Sequence, residues 1–288
     1  MSSTGHPRGL LIVGHGTRDE QGNHQFFALI DQLRESLLGT FGRSEEPFSQ
    51  QPQPLLPLVQ PALLEFQQPD IPAAWRLLVD RGVERIDVVP LLLFAAGHAK
   101  SDIPEQIAAV AGQGRRVDWR ITRPLSRHRL IVDLVCQRIA EVLPVAERGL
   151  GQPPHPQQEV SLLMVGRGSH DPCARSDMLV LSEIVRHRFC LKAIETAFYA
   201  MADPRLEDTL ESIAARGIPR VLVVYPHILF AGRLYDSIVQ KVLHWGSRFP
   251  ECSVRICRYL GPVEEVAGAI IDRVQNPSLG LNSAKTGR

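Results

Sequence analysis

Short aliphatic runs alternate with longer amphipathic stretches along the whole chain. The runs have the length of buried strands, and the stretches repeat their apolar residues at helical spacing. In the first half, the predicted strands are Gly9–Val13, Leu58–Leu64, Arg85–Leu93 and Val117–Thr122, and the predicted helices are 20–38, 70–82, 101–112 and 127–145. In the second half, the predicted strands are 160–165, 192–199, 219–228 and 253–259, and the predicted helices are 173–188, 205–216, 232–247 and 262–274. This alternation predicts an α/β fold of parallel sheets flanked by helices.

Two helix starts are marked by their residue types. Asp70 is predicted to begin a helix as a side-chain cap, and Asp203-Pro204 is predicted to begin another through a proline in the first turn.

The second half of the chain repeats the first. Residues 65–89 align with 200–224 at a constant offset of 135. The segments LLIVGHGTRDE (10–20) and LLMVGRGSHDP (162–172) align at an offset of 152, so the first half holds 17 additional residues between its first two motifs. A period this long indicates a duplicated domain rather than a solenoid.

Two segments of loop-like composition interrupt the repeat. SEEPFSQQPQPLLPLVQ (44–60) accounts for the additional residues and is predicted to be a surface loop, while AERGLGQPPHPQQE (146–159) has the composition of a linker. We therefore expect two similar domains, an N-terminal one over 1–148 and a C-terminal one over 149–288. The polar tail from about Asn276 is predicted to fray.

The overall composition is that of an ordinary globular protein without a strong net charge. The formal net charge is +1 and 44% of the residues are hydrophobic, which argues against nucleic acid or a membrane as partner. No segment reaches the roughly 18 apolar residues of a membrane span, and the N-terminus lacks the apolar core of a signal peptide. The five cysteines lack Cys-x-x-Cys spacing, which indicates reduced thiols and a cytoplasmic location.

Three candidate functional residues fall at the carboxyl ends of first-half strands. His15 follows the first strand between two glycines, Glu65 follows the second strand and His98 follows the third. In open parallel sheets, ligands bind at that edge. Two imidazoles and a carboxylate form a nitrogen and oxygen donor set that suits divalent iron, cobalt, nickel or zinc. We predict that the three residues share one metal site.

The duplicate lacks all three of these residues. The equivalent positions in the second half hold Arg167, Ala200 and Arg233, and neither arginine nor alanine ligates a metal. Joint loss is expected if the three residues act together, whereas a requirement of the fold would keep them in both halves. Taken singly, each residue also has a structural interpretation, as a hydrogen-bonded histidine, a loop carboxylate or a helix cap.

The segments GHGTRD, LLEFQQPDIP and VVPLLLFAAGHAKSDIP resemble the signature segments of the class II tetrapyrrole chelatases, the sirohydrochlorin cobalto- and ferrochelatases. The resemblance covers about residues 8–145 and 159–274, and it is to the long, two-domain form. It implies two chelatase-like α/β domains that face each other across a cleft for the macrocycle, in a monomeric pseudo-dimer. Thr17 departs from the family's usual serine, and the sequence has neither the histidine-rich stretch nor the iron–sulfur cysteines of some long members.

The resemblance implies ATP-independent insertion of a divalent metal into sirohydrochlorin, for cobalamin or sirohaem biosynthesis, with Co²⁺ favoured over Fe²⁺. The metal is a substrate, and no tightly bound cofactor is implied. His15, Glu65 and His98 are then the catalytic and metal-binding residues. The imidazoles present the metal and accept pyrrole protons, and Glu65 assists or orients an imidazole. The donor set itself accepts Co²⁺, Fe²⁺ or Ni²⁺.

Binding of the macrocycle's peripheral carboxylates calls for local positive charge, since the net charge is close to zero. The candidates are Arg18, Lys100, Arg167 and Arg233. The two second-half arginines either clamp substrate carboxylates or are exposed substitutions at a site that the duplicate has lost. His170 and His227 also lie near second-half strand ends, and each is expected to be structural.

Two other functions fit parts of the sequence. Histidine phosphatases carry Arg-His-Gly after a first strand, but here Gly14 stands in place of the arginine. A non-catalytic carrier of metal or tetrapyrrole would keep the site without turnover. Binding of metal or macrocycle without metallation would distinguish such a carrier from a chelatase.

Overall fold

The chain folds into two four-stranded parallel sheets flanked by helices, which confirms the predicted α/β class. The computed structural model describes residues 7–41, 56–94, 97–143, 160–189, 191 and 193–276. In the first half the elements are β1 (Arg8–Gly14), α1 (Glu20–Phe41), β2 (Leu58–Leu63), α2 (Ile71–Asp80), β3 (Arg85–Pro90), a π-helical turn (His98–Asp102), α3 (Ile103–Ala111), β4 (Asp118–Ile121) and α4 (Arg129–Val142). In the second half they are β5 (Val160–Gly166), α5 (Pro172–Phe189), β6 (Ala193–Phe198), α6 (Leu206–Arg216), β7 (Val221–Pro226), α7 (Arg233–Gly246), β8 (Ser253–Ile256) and α8 (Glu264–Gln275).

Both sheets have the same strand order, and every pairing is parallel. The orders are β2-β1-β3-β4 and β6-β5-β7-β8. Helices cover both faces, and the central strand β1 is accordingly apolar from Leu10 to Val13, with the side chains of Leu10, Leu11, Ile12 and Val13 fully buried. In each sheet the second strand of the repeat lies on one side of the first strand, and the third strand lies on the other side. Such folds bind ligands at the carboxyl edge of the sheet, next to the strand where the order reverses in this way.

The repeat is less regular than the constant offset of 135 predicts. Strand register pairs Val13 with Pro90 and Val165 with Pro226, so the third strand of the second half lies one residue later than that offset gives. The first half carries FAAG after its third strand where the second half carries FAG, and this additional alanine restores the offset at the helix that follows. The predicted constant offset between the two halves is therefore wrong within the third strand and correct on either side of it.

Of three local predictions, the structure confirms one and corrects the other two. The Asp70 carboxylate caps α2 by accepting a hydrogen bond from the Ala73 amide at 2.8 Å, as expected. The helix predicted from Asp203-Pro204 begins only at Leu206, because that dipeptide belongs to the preceding loop. The predicted surface loop 44–60 is wrong from residue 58 onward, where β2 begins. Residues 42–55, the linker 146–159 and the tail 277–288 lie outside the described residues.

Contacts between Cα atoms divide the chain into two compact units that exchange one helix each. Unit 1 comprises Met1–Ser126 and Pro262–Arg288, and unit 2 comprises Arg127–Gly261. Helix α8 packs on α1 and β3 within unit 1, and α4 packs on α5 and β7 within unit 2. The compact units thus differ from the domains 1–148 and 149–288, which follow the sequence repeat.

In unit 1, two arginines fix the last turn of α8 to the sheet. Arg120 and Arg8 donate to the carbonyl of Val274 at 2.6 and 3.2 Å. Both guanidinium groups also pair with the carboxylate of Asp87, which is fully buried in β3. Positive charge at a helix C-terminus stabilises the orphan carbonyls there, so this cluster anchors α8 to unit 1.

In unit 2, α4 is held by an arginine at the equivalent place. Arg255 of β8 donates to the carbonyl of Val142 at 2.9 Å, as Arg120 does to Val274 in unit 1. The buried Arg138 of α4 donates in return to the carbonyl of Leu260 at 2.9 Å. Each unit is therefore closed by a helix that the other sequence repeat supplies. Within the described residues, no helix combines the length and apolar character needed to cross a bilayer.

Candidate metal centre

The first two strands of unit 1 bring His15 and Glu65 side by side. Their parallel pairing runs as far as Gly14 and Leu63, and two further backbone hydrogen bonds join the segments beyond the strands. The amide of Leu64 donates to Gly14 and the amide of Glu65 donates to His15, each at 3.0 Å. The backbones of His15 and Glu65 are thus adjacent at the carboxyl edge of the sheet, with the His15 side chain half-buried and that of Glu65 exposed.

Gly16 is required by this close approach of the two backbones. Its φ of +83° lies in the region that favours glycine, and a Cβ built there would lie 2.1 Å from the carbonyl oxygen of Glu65. Any larger residue would push the Glu65 backbone away. The glycine after His15 therefore sets the spacing between the two candidate ligands.

A network of side-chain hydrogen bonds holds the loop that carries His15. The Asn23 amide donates to the Thr17 carbonyl at 2.7 Å, and the Thr17 amide donates to the Asn23 side chain at 3.3 Å. The Thr17 hydroxyl accepts from the Asp19 amide at 3.1 Å, so threonine supplies the same acceptor as the family's usual serine. The Asp19 carboxylate in turn accepts from the amide of Gln21 at the start of α1, at 3.0 Å. The loop is therefore tied to the helix.

The imidazole of His15 is oriented by its own loop. Its Nδ1 lies 3.1 Å from the carbonyl oxygen of Gly16. A carbonyl oxygen only accepts, so this contact is a hydrogen bond when Nδ1 carries the proton. That tautomer leaves the lone pair on Nε2, where it can bind a metal ion or accept a proton.

Arg18 and Phe66 meet beside this pair. Phe66 directly follows Glu65, and the guanidinium carbon of Arg18 lies 4.9 Å from the centre of the Phe66 ring, within the range of a cation–π interaction. Both side chains are exposed. A positive charge and an aromatic surface therefore flank the His15–Glu65 pair.

His98 begins the π-helical turn that follows β3, in the loop at the same edge of the sheet. Its side chain lies outside the described residues, so its place in a shared metal site stays a prediction. π-Helical turns are rare and often occur at functional sites. Lys100 lies in this turn with an exposed side chain. Among the described side chains, no group of three histidine, cysteine, aspartate or glutamate residues is arranged to hold a metal.

The second half reproduces the backbone of the candidate site without the three candidate ligands. The amide of Ala200 donates to the carbonyl of Arg167 at 2.9 Å, matching the bond from Glu65 to His15. Gly168 has a φ of +89°, and a Cβ there would lie 1.6 Å from the carbonyl oxygen of Ala200. The side chain of Arg167 is exposed, as is that of Arg233 at the first position of α7. Both arginines are accessible to an anionic ligand.

The two other second-half histidines differ in their surroundings. His227 is 4% exposed, its Nδ1 lies 3.1 Å from the Tyr225 hydroxyl, and burial lowers its pKa to about 3. A buried, neutral imidazole bonded to tyrosine has a structural role, as the sequence suggested. His170 is exposed and occupies the position that Arg18 has in the first half.

Sequence reasoning did not single out Phe66 or Asn23. The available signal for Phe66 was an aromatic residue in an otherwise polar loop, directly after a candidate ligand. The signal for Asn23 was a polar residue on the first turn of a helix, close to the glycine-rich loop. The aromatic stacking and the loop contacts depend on the tertiary structure, which the sequence pattern does not contain.

A sequence model of the CbiX family matches the chain twice, over residues 9–142 and 161–276. The chain is 29% identical to the sirohydrochlorin ferrochelatase of Priestia megaterium, over 81% of this chain and 77% of that protein. It is 24% identical to the sirohydrochlorin cobaltochelatase of the same organism, over 88% of this chain and 74% of that protein.

Solved structures share the fold over nearly the whole chain. SirB from Bacillus subtilis with Fe³⁺ superposes with a TM-score of 0.75 at 25% identity, covering 95% of this chain and 96% of that chain. SirB from Bacillus subtilis subspecies spizizenii, in complex with cobalt, superposes with a TM-score of 0.71 at 23% identity, covering 93% and 94%. The predicted resemblance to the long, two-domain form is thereby confirmed.

Proposed function

The chain belongs to the CbiX family, and from this premise we propose that it is a metal chelatase that inserts a divalent metal ion into sirohydrochlorin without ATP. The observation that carries the proposal is the backbone hydrogen bond from the Glu65 amide to the His15 carbonyl, which brings these two residues together at the carboxyl edge of the sheet, where such folds bind ligands. The names of the relatives, a ferrochelatase and a cobaltochelatase, support the reaction class.

The metal ion is a substrate, so its site must hold it and then release it. His15, through Nε2, Glu65 and His98 are the proposed ligands. Two imidazoles and one carboxylate leave coordination positions for water and for the incoming macrocycle, unlike a closed four-ligand structural site. The exposure of Glu65 suits a ligand that must exchange during each turnover.

The macrocycle loses two pyrrole protons as the metal enters, and the balanced products are the metal complex and two protons. Imidazole is the side chain whose ordinary pKa makes it a base near neutral pH. We assign proton acceptance to His15 and His98, with Glu65 assisting or orienting an imidazole. General-base catalysis of this kind contributes about 10²- to 10⁴-fold in rate.

We propose Co²⁺ as the preferred ion and Fe²⁺ as an accepted one, for cobalamin or sirohaem biosynthesis. The Irving–Williams order places Co²⁺ above Fe²⁺ in affinity for a nitrogen and oxygen donor set. The relatives include enzymes named for each metal, so the preference is a matter of degree.

Four exposed cations are proposed to bind the substrate carboxylates: Arg18, Lys100, Arg167 and Arg233. Arginine binds a carboxylate through two parallel hydrogen bonds, and lysine binds it as a point charge. The second-half arginines stand where the first half has its imidazoles, so the duplicated half would contribute substrate binding instead of metal binding. A cytoplasmic location and a monomeric pseudo-dimer remain predictions.

The test is the anaerobic absorbance change of sirohydrochlorin mixed with Co²⁺ or Fe²⁺. We expect the protein to accelerate metallation with both ions, faster with Co²⁺. His15→Ala, His98→Ala and Glu65→Gln should each lose roughly 100-fold or more in rate with little change in melting temperature. His24→Ala is the matched control, because His24 is an exposed histidine of the same unit on α1.

Two results would overturn the proposal. Wild-type turnover in His15→Ala or His98→Ala would remove these residues from the mechanism. Bound macrocycle with no acceleration of metallation would favour the tetrapyrrole carrier instead.

A further inference from the structure

Phe66 combines three properties that loop residues seldom share. Its side chain is 53% exposed, although a phenylalanine gains most from burial. Its φ is +68°, in the left-handed region that glycine favours and aromatic residues avoid. It also directly follows Glu65, a proposed metal ligand. A large apolar side chain is thus held in an unfavourable backbone conformation, in solvent, beside the candidate site.

The surrounding loop enforces this conformation. The amide of Gln67 donates to the carbonyl of Glu65 at 2.9 Å, which closes a three-residue turn with Phe66 at its centre. The amide of Leu63 donates to the carbonyl of Pro69 at 2.8 Å and fixes the base of the loop. Strained residues persist only where their neighbours determine them, and they concentrate at ligand sites.

Arg18 gives this ring a defined partner. Its guanidinium carbon lies 4.9 Å from the Phe66 ring centre, so the ring and the cation are positioned together. The loop that carries Arg18 also carries His15 and is tied to α1 through the Asn23 side chain. The pair therefore belongs to the same edge of unit 1 as the proposed metal ligands.

We propose that Phe66 and Arg18 form a substrate-positioning pair. A tetrapyrrole has a flat conjugated face and an anionic rim. The exposed Phe66 ring packs against the face, and Arg18 binds one carboxylate of the rim. This inference rests on the proposed function and deepens it, because it identifies the residue that contacts the macrocycle itself rather than the metal or the protons.

The second half shows what is specific to this pair. Met201 occupies the position equivalent to Phe66, with a φ of +57° and 39% exposure, so the positive φ at this position is a feature of both repeats. The aromatic ring and the guanidinium are not repeated, because methionine and His170 stand in their places. The pair occurs only in the half that carries the candidate metal ligands.

The test separates positioning of the substrate from stability of the loop. Phe66→Gly removes the ring and accepts the positive φ without strain. We expect KM for sirohydrochlorin to rise roughly tenfold, the loss of one aromatic contact, while kcat, KM for Co²⁺ and the melting temperature stay close to wild type. Phe66→Trp should retain the wild-type KM. Leu38→Ala is the control, because Leu38 is an equally exposed apolar residue (56%) of the same unit on α1.

The Arg18 contribution is measured by a double-mutant cycle. Arg18→Gln should also raise KM for sirohydrochlorin, and Phe66→Gly with Arg18→Gln should raise it by less than the product of the two single effects, because the residues act together. An unchanged KM in Phe66→Gly, with an active wild-type protein, would overturn the positioning pair alone. A wild-type protein that does not accelerate metallation would overturn the proposed function, and the pair with it.

Discussion

The amide of Glu65 donates a hydrogen bond to the carbonyl of His15 at 3.0 Å, where His15 lies one residue and Glu65 two residues beyond the last paired residues of β1 and β2. The same bond joins Ala200 to Arg167 at 2.9 Å. Gly16 follows His15 and Gly168 follows Arg167. Each glycine has a positive φ, and its Cβ position lies against the carbonyl oxygen of Glu65 or Ala200, respectively. The two repeats thus share one backbone frame and differ in the side chains placed on it.

A second metal site should be created by substitution alone. Arg167→His, Ala200→Glu and Arg233→His together place the proposed first-half ligand set on the second-half frame. We expect the number of Co²⁺ ions bound per chain in isothermal titration to rise from one to two. Adding His15→Ala and Glu65→Gln to this variant should return the number to one. An unchanged stoichiometry in the triple variant would show that the backbone frame is not sufficient.

The glycine after His15 should be intolerant of a side chain. Gly16→Ala forces a Cβ into the Glu65 carbonyl at a positive φ, so we expect a loss of at least about 2 kcal/mol in the free energy of unfolding and weaker Co²⁺ binding. Urea unfolding and metal titration measure the two effects. Gly39→Ala is the control: Gly39 is helical and its Cβ would meet open space, so this change should stabilise the protein by about 0.5–1 kcal/mol. Equal Co²⁺ affinity in Gly16→Ala and wild type would contradict the role of this glycine.

The sequence predicts the elements of this fold well because periodicity and strand length are local properties. Every predicted strand and helix has a counterpart, and the capping role of Asp70 follows from residue type. The one-residue shift of the third strand was missed because an extra residue before β7 and an extra alanine after β3 cancel in the alignment. The exchange of α4 and α8 is not predictable from the sequence, because the pattern of two similar repeats does not encode which sheet a helix packs on.

For the candidate site, the sequence predicts where the residues lie along the sheet edge but not which contacts they make. Strand ends identify where His15 and Glu65 lie, since parallel strands share one edge. The tautomer favoured at His15 and the stacking of Arg18 on Phe66 depend on contacts between segments. For these, the structure adds information that no pattern in the sequence carries.

The cluster of Asp87, Arg8 and Arg120 should contribute much of the free energy that holds α8 on unit 1. Asp87→Asn removes the buried charge that pairs with Arg8 and Arg120, leaving two guanidinium groups without their counter-ion. We expect a loss of about 3 kcal/mol in urea unfolding and faster amide exchange in α8. Asp31→Asn, which breaks an exposed pair with Arg34, should cost less than about 1 kcal/mol. Equal losses in the two variants would mean that the cluster does not anchor the helix.

His227 should make the protein sensitive to acid. Its pKa is about 3 in the folded state because of burial, against about 6.5 when unfolded. The unfolded state therefore binds more protons between these values, and stability falls as pH drops from about 6.5 toward 3, by up to about 1.4 kcal/mol per pH unit. His227→Gln should flatten this dependence in unfolding experiments across that range, whereas the exposed control His244→Gln should not. Parallel pH profiles for wild type and His227→Gln would refute the assignment.

The exchange of helices also determines the order in which the two units can complete their folding during synthesis. Unit 2 is one continuous segment, Arg127–Gly261, whereas unit 1 needs both Met1–Ser126 and the segment that begins at Pro262. On the ribosome, domains fold as their residues emerge, so unit 2 has all its residues before α8 exists. The sheet with His15 and Glu65 is translated before unit 2, and α8 covers α1 only once it has left the exit tunnel. The part of the chain that is made first is the part that finishes folding last.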